Sequence, residues 1–97
     1  MCTTCRRMNL AGRVKKRDGT PVTRAQSMRF AHENGNNEVQ LQTSADGSYA
    51  VPLPLQGRWY VYVNGCPAQP ASIVVDVPAG VCTRNFRRTC DENGNPE

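Results

Sequence analysis

Apolar residues recur at every second position through most of the chain, the period of a strand with one buried face. Met8, Leu10, Gly12 and Val14 share one parity and Asn9, Ala11, Arg13 and Lys15 the other, which predicts a first strand ended by a turn over Lys16 to Pro21. Asp18-Gly19 marks that turn, and Pro21 suits an edge because it has no ladder donor to lose. Val22 to Phe30 reads as the next strand, broken near Ala25, and Asn34-Gly35 sits in the polar run His32 to Asn37 before Glu38 to Thr43, where Val39 and Leu41 are in step. Asp46-Gly47 predicts a tight hairpin turn feeding Tyr49, Val51 and Leu53. Pro52 and Pro54 stop that strand, and Gly57 starts the next, with Trp59, Val61 and Val63 facing one way and Arg58, Tyr60 and Tyr62 the other. Asn64 to Pro70 reads as a loop, Ala71 to Val77 as a covered strand carrying Ile73, Val74 and Val75, and Val81 to Arg88 as the last strand after the turn Pro78-Ala79-Gly80. No helix of usual length is predicted. About seven short strands, with turns roughly every ten residues, describe an all-β, seven- or eight-stranded antiparallel β-sandwich.

The order of the motifs adds to this. Leu10-x-Gly12-x-Val14, Gly19-x-Pro21-Val22-x-x-Ala25, Thr43-x-x-Asp46-Gly47-x-Tyr49, Pro52-Leu53-Pro54 and Gly57-x-Trp59-Tyr60-x-Tyr62-Val63 together resemble the carboxypeptidase regulatory-like and Cna-B-like domains of prealbumin (transthyretin-like) topology. The resemblance covers residues 10 to 63. It implies a sandwich that works as a spacer, stalk or docking module joined to something larger, which is a likeness of fold rather than of function. Some Cna-B-like domains join a Lys to an Asn beside a carboxylate, and Lys15 or Lys16, Asn85 and Glu38 would take those places here. Lys15 falls on the wet parity, which weighs against that bond. The chain divides into a cysteine-containing arm over 1–7, the sandwich over 8–90 and a polar C-terminal tail over 91–97.

Composition sets the margin of this fold. Of 97 residues 38% are hydrophobic and 6% aromatic, so the core is thin and a covalent or metal staple would help it. Twelve Lys and Arg against eight Asp and Glu give a net charge of +4, which steers acidic partners without identifying nucleic acid as one. No apolar run approaches the roughly twenty residues that span a bilayer, so no membrane role is expected. Met1 is followed by Cys2, Thr3, Thr4, Cys5, Arg6 and Arg7 with no apolar segment, which predicts synthesis in the cytoplasm without a signal peptide.

The five cysteines are the strongest chemical signal. Cys2-Thr3-Thr4-Cys5 has the gap that lets two thiolates hold one tetrahedral metal ion. Cys90, just past the last strand, would meet them if the chain ends converge, with Cys66 as fourth ligand and Cys82 as the alternative. One structural zinc ion would then tie down both ends of a small domain. Disulfides are the competing chemistry, Cys66 with Cys82 being one pairing, in a protein that oxidises after leaving the cell or inside a particle. Free thiols are the third alternative, Cys82 sharing the parity of Phe86 as a small buried hydrophobe would.

Catalysis has little to stand on. The only histidine, His32, is read as a solvated loop residue, and Asp18 and Asp46 as turn formers ahead of glycine. Binding is better supported: Arg58, Tyr60 and Tyr62 present two rings and a guanidinium from one strand face, and Arg84, Arg87 and Arg88 form a basic patch. The expectation is a noncatalytic structural or docking module attached through a protein partner to a larger assembly, in its most concrete form a phage or virion decoration or tail accessory protein contacting capsid or tail. The alternatives are a small zinc-stabilised nucleic-acid-binding protein, which the lack of aromatics interleaved with the arginines disfavours, and a cell-surface adhesion or carbohydrate-binding module. Oligomeric state is not readable from the pattern.

Overall fold

A computed structural model describes residues 9–75 and 83–97. Within them the alternating segments become seven strands: β1 (Asn9–Lys15), β2 (Ser27–His32), β3 (Glu38–Gln42), β4 (Ser48–Pro52), β5 (Gly57–Val63), β6 (Cys66–Val75) and β7 (Phe86–Arg87). No helix occurs among the described residues. The strands form one mixed sheet in the order β3-β2-β5-β6-β7-β1-β4, curled until it is nearly closed and barrel-like. The pairings are antiparallel except β1 with β7, which run parallel through Val14↔Phe86 and Lys15↔Arg87.

The parity read from the sequence is the parity of burial. Leu10, Val14, Tyr49, Val51, Leu53, Trp59, Val61 and Val63 all point into the core, where they join Met28, Phe30 and Phe86. Of the run Ile73 to Val75, expected to be covered throughout, only Ile73 and Val75 are buried, and Val74 alternates out to solvent. Phe30 and Phe86 meet edge to face, with ring centroids 6.4 Å apart, in the geometry that aromatic quadrupoles favour. Gly12 shares the inward parity, and a Cβ there would collide with the backbone carbonyl of Arg84. This absence of a side chain lets the segment before β7 cross over β1.

Several expectations shift. The strand expected over Val22 to Phe30 begins only at Ser27 and runs on through His32. The segment read as a loop from Asn64 to Pro70 is a two-residue turn followed by β6: Asn64 and Gly65 take φ of 54° and 87°, the pair of positive values a primed hairpin turn requires. The Asp46-Gly47 turn does not join paired strands. It carries the chain from β3 to β4, the two opposite edges of the sheet, and the Gly47 carbonyl accepts the Val14 N–H at 2.8 Å. The 91–97 tail folds back as a turn in which Cys90 bridges Pro96 and the Asp91 carboxylate accepts the N–H groups of Asn93 and Asn95 at 2.9 and 3.0 Å.

Candidate functional site

The outward side of β5 is built by its own alternation. Trp59, Val61 and Val63 occupy the core, so Arg58, Tyr60 and Tyr62 are left on the far face. Register then fixes their neighbours: Arg58 lies opposite Val74, and Tyr60 lies between Ala31 of β2 and Ser72 of β6. The Arg58 backbone N–H donates to Glu33 Oε2 at 2.7 Å and its guanidinium donates to Ser72 Oγ at 2.9 Å. Tyr62 is covered by the Arg29 guanidinium, 4.2 Å from the ring centroid, and Arg29 also holds Glu38 at 2.9 Å. Arg29 and the Gln40 amide together keep the Glu38 carboxyl below its usual range. Tyr60 and Val74 remain open, at 42% and 40% exposure. Alongside them runs a groove of about 610 Å³ bordered by Arg58, Ser72, Val74, Thr83, Arg84 and Asn85. Arg58 and Arg84, placed by the sequence in separate patches, thus flank one groove.

The rest of the expected basic patch disperses. Arg87 is exposed and turns to the end of β1, where its Nη1 donates to the Arg17 carbonyl at 3.4 Å. Arg88, expected to face a partner, is 4% exposed. It donates to Glu97 at 2.9 and 2.8 Å, to Glu92 at 2.9 Å and to Gln26 Oε1 at 3.0 Å. Phe86, Arg88 and Cys90 share one parity, so the period that buried Phe86 was the available signal for Arg88 as well. Glu92 accepts from its own backbone N–H, from Arg88 and from Gln26, and its carboxyl is held down to about 2.

His32 is likewise buried, contrary to the solvated reading. It continues the inward parity of Met28 and Phe30 and meets Trp59 edge-on at 4.8 Å. Its Nδ1 accepts the Asn34 N–H at 3.1 Å, which assigns the proton to Nε2, and Nε2 donates to the Gln56 carbonyl at 2.9 Å. Both ring nitrogens are therefore engaged with backbone. Asp18 and Asp46 each accept from the backbone N–H and the hydroxyl two residues on, the local geometry of a turn former. The Lys–Asn–carboxylate arrangement does not assemble: Asn85 Oδ1 accepts the Arg13 N–H at 3.0 Å on β1, while Glu38 pairs with Arg29 on β2.

Cys66, at the start of β6, is joined to Cys90, just past β7, at disulfide distance. Cys82, Cys2 and Cys5 lie outside the described residues, but with Cys66 joined to Cys90 the expected pairing of Cys66 with Cys82 is replaced. Among the described residues no group of three or more His, Cys, Asp or Glu is arranged to hold a metal ion. A sulfur committed to a disulfide has no thiolate to offer zinc, so the four-cysteine centre requires this bond to be open. The bond spans 24 residues of sequence, and closing a loop of that length contributes about 3 kcal/mol. Peptide mapping without reductant is expected to recover Cys66 and Cys90 as one linked pair, and reduction to lower the unfolding free energy by about that amount. Recovery of both as zinc-bound thiols would replace the disulfide with the metal centre.

Comparison with family models, with curated proteins and with solved structures gives no match.

Proposed function

We propose that this chain is a noncatalytic docking module that attaches to a larger assembly through the outward face of β5 and β6. The observation that carries the reading is the exposed cluster of Arg58, Tyr60 and Val74 beside a groove flanked by a second arginine. Tyrosine and arginine offer large contact area and directed hydrogen bonds, and are enriched where proteins meet. Among the described residues both charges on the groove are positive, and the chain carries +4, so the complementary partner surface is acidic at its rim.

The finer fold belongs to the same proposal: a two-layered sandwich of prealbumin type, as in the carboxypeptidase regulatory-like and Cna-B-like domains. What supports it is the unevenness of the sheet. β3, β2, β5 and β6 make one antiparallel set, with a register shift between Tyr60 and Tyr62 where β5 meets β6, β1 with β4 makes another, and the two-residue β7 is the link between them. A Cys66–Cys90 disulfide supports a place outside the reducing cytosol or in a released particle, such as a virion decoration or tail accessory protein.

Gradient sedimentation of the chain as it occurs in its source tests the reading. The native chain is expected in a high-mass fraction, and Tyr60→Ser combined with Val74→Ser is expected to return it to its own mass while it stays folded. The docking reading fails if the native chain already runs at its own mass, or if the variant still co-sediments. Affinity for single-stranded nucleic acid that falls steeply as salt rises would assign the basic groove to nucleic acid instead.

A further inference from the structure

The sheet stops at the outer side of β3, and the hydrogen bonds between β2 and β3 determine what that edge offers. The His32 N–H donates to the Asn37 carbonyl and the Thr43 N–H to the Gln26 carbonyl, both at 2.9 Å. Hydrogen-bonded pairs in an antiparallel ladder recur at every second residue. With the observed register, Phe30↔Val39 and Met28↔Leu41 are therefore hydrogen-bonded pairs. The backbone N–H and C=O of Val39 and Leu41 face β2, and those of Glu38, Gln40 and Gln42 face outward. Among the described residues no strand receives them.

The two edges of the sheet are not alike. β4 ends in Pro52, which has no N–H to offer, and Pro54 follows it, a device that discourages strand addition. β3 has no proline, no lysine and no break in register, and its one charge, Glu38, is already paired with Arg29. Val39 and Leu41 are half-buried on the inner side and pack against the core.

We infer that β3 pairs with β3 of a second copy of the chain, antiparallel and centred on Gln40. This register sets Gln40 against the partner's Gln40, and Glu38 against the partner's Gln42. Each such pair exchanges two backbone hydrogen bonds, so every outward group of the strand is satisfied. Val39 then faces the partner's Leu41 in the close, non-hydrogen-bonded pairs, and the half-exposed side chains cover one another. Glutamate meets a neutral amide at both ends. Sliding the register toward Glu38 brings the two carboxylates together and leaves Gln42 with no strand residue opposite. The sequence Glu38-Val39-Gln40-Leu41-Gln42 is thus complementary to itself in one register, which singles out a second copy as the occupant. The edge is separated from the β5–β6 face by β2, so this inference does not rest on the docking reading.

Sedimentation equilibrium of the full chain, from about micromolar to about millimolar concentration, reads the association directly. A reversible dimer is expected. Gln42→Glu places like charges opposite each other at both ends and is expected to weaken the dimer about tenfold, and Gln42→Lys to tighten it by a similar factor. Both shifts should shrink as salt rises. Gln40→Pro removes an outward N–H without touching the β2 ladder, so dimerisation is expected to be lost while the monomer keeps its unfolding midpoint. The inference is overturned if the native chain stays monomeric throughout, if the two Gln42 variants shift in the same direction, or if Gln40→Pro still dimerises.

Discussion

Gly47→Ala is expected to lose about 4 kcal/mol of stability, the sum of about 1 kcal/mol for a side chain held at positive φ and about 3 kcal/mol for a forced shift of the packed backbone. Gly47 has φ of 86°, and a Cβ there would run into the carbonyl oxygen of Val14 and lie 2.9 Å from Val22 Cγ2. Neither neighbour can yield cheaply. The Val14 N–H is bonded to the Gly47 carbonyl at 2.8 Å, and Val14 and Val22 are both buried. Gly35 provides the control, since its φ is 76° but nothing lies within 4 Å of its missing Cβ. Gly35→Ala is expected to cost only the backbone component, about 1 kcal/mol. Urea unfolding of the two variants separates the contributions, and equal losses would show that close approach to β1 is not what requires glycine at position 47. A loss of 4 kcal/mol is a large part of what a domain of this size has to give.

This turn also shows what the sequence made legible and what it did not. Asp46-Gly47 followed by Tyr49, Val51 and Leu53 announces a turn and a strand from local chemistry alone, and both are present. That the turn connects opposite edges of a curled sheet depends on the pairing of β1 with β4, which no local pattern carries. The outward placement of Arg58, Tyr60 and Tyr62 was readable because period two is rigid and Trp59, Val61 and Val63 have only one place to go. Asn64-Gly65 was equally local, a dipeptide suited to a primed turn, but proline at positions 67 and 70 masked β6 as a loop. The buried polar residues fall in between. Gln26 and His32 keep the parity of Met28 and Phe30, so their direction was encoded, while their partners were not: Gln26 is met by Arg88 from 62 residues away. A polar side chain on an inward parity is the readable sign that such a partner exists, because burying it without one is costly.

Arg88→Met is expected to lose about 3 kcal/mol, and the loss should take much of the acid sensitivity of the fold with it. Methionine fills similar volume without charge, but the Gln26 amide oxygen then keeps only Asn64, at 2.8 Å, and Glu92 and Glu97 lose the cation that gathers the 91–97 turn onto the core. The proton balance gives the pH dependence its sign. Glu92 accepts from its own backbone N–H as well as from Arg88 and Gln26 and is lowered from about 4.5 to about 2; Glu97 is lowered chiefly by Arg88. Between those values the unfolded chain binds a proton at position 92 and the folded chain does not, and the lowered Glu97 carboxyl acts in the same direction, so stability falls as pH drops through the window. Above about 4.5 the Glu92 contribution is complete, and it is lost as pH falls through about 2. Unfolding free energy measured across that range should therefore decline in the native chain and decline less in Arg88→Met, since Glu97 has lost the main cause of its shift. An unchanged acid slope in the variant would mean that Arg88 does not set the affinity of these carboxylates for protons, and that the 91–97 turn is held to the core by the Cys66–Cys90 link and its backbone bonds instead.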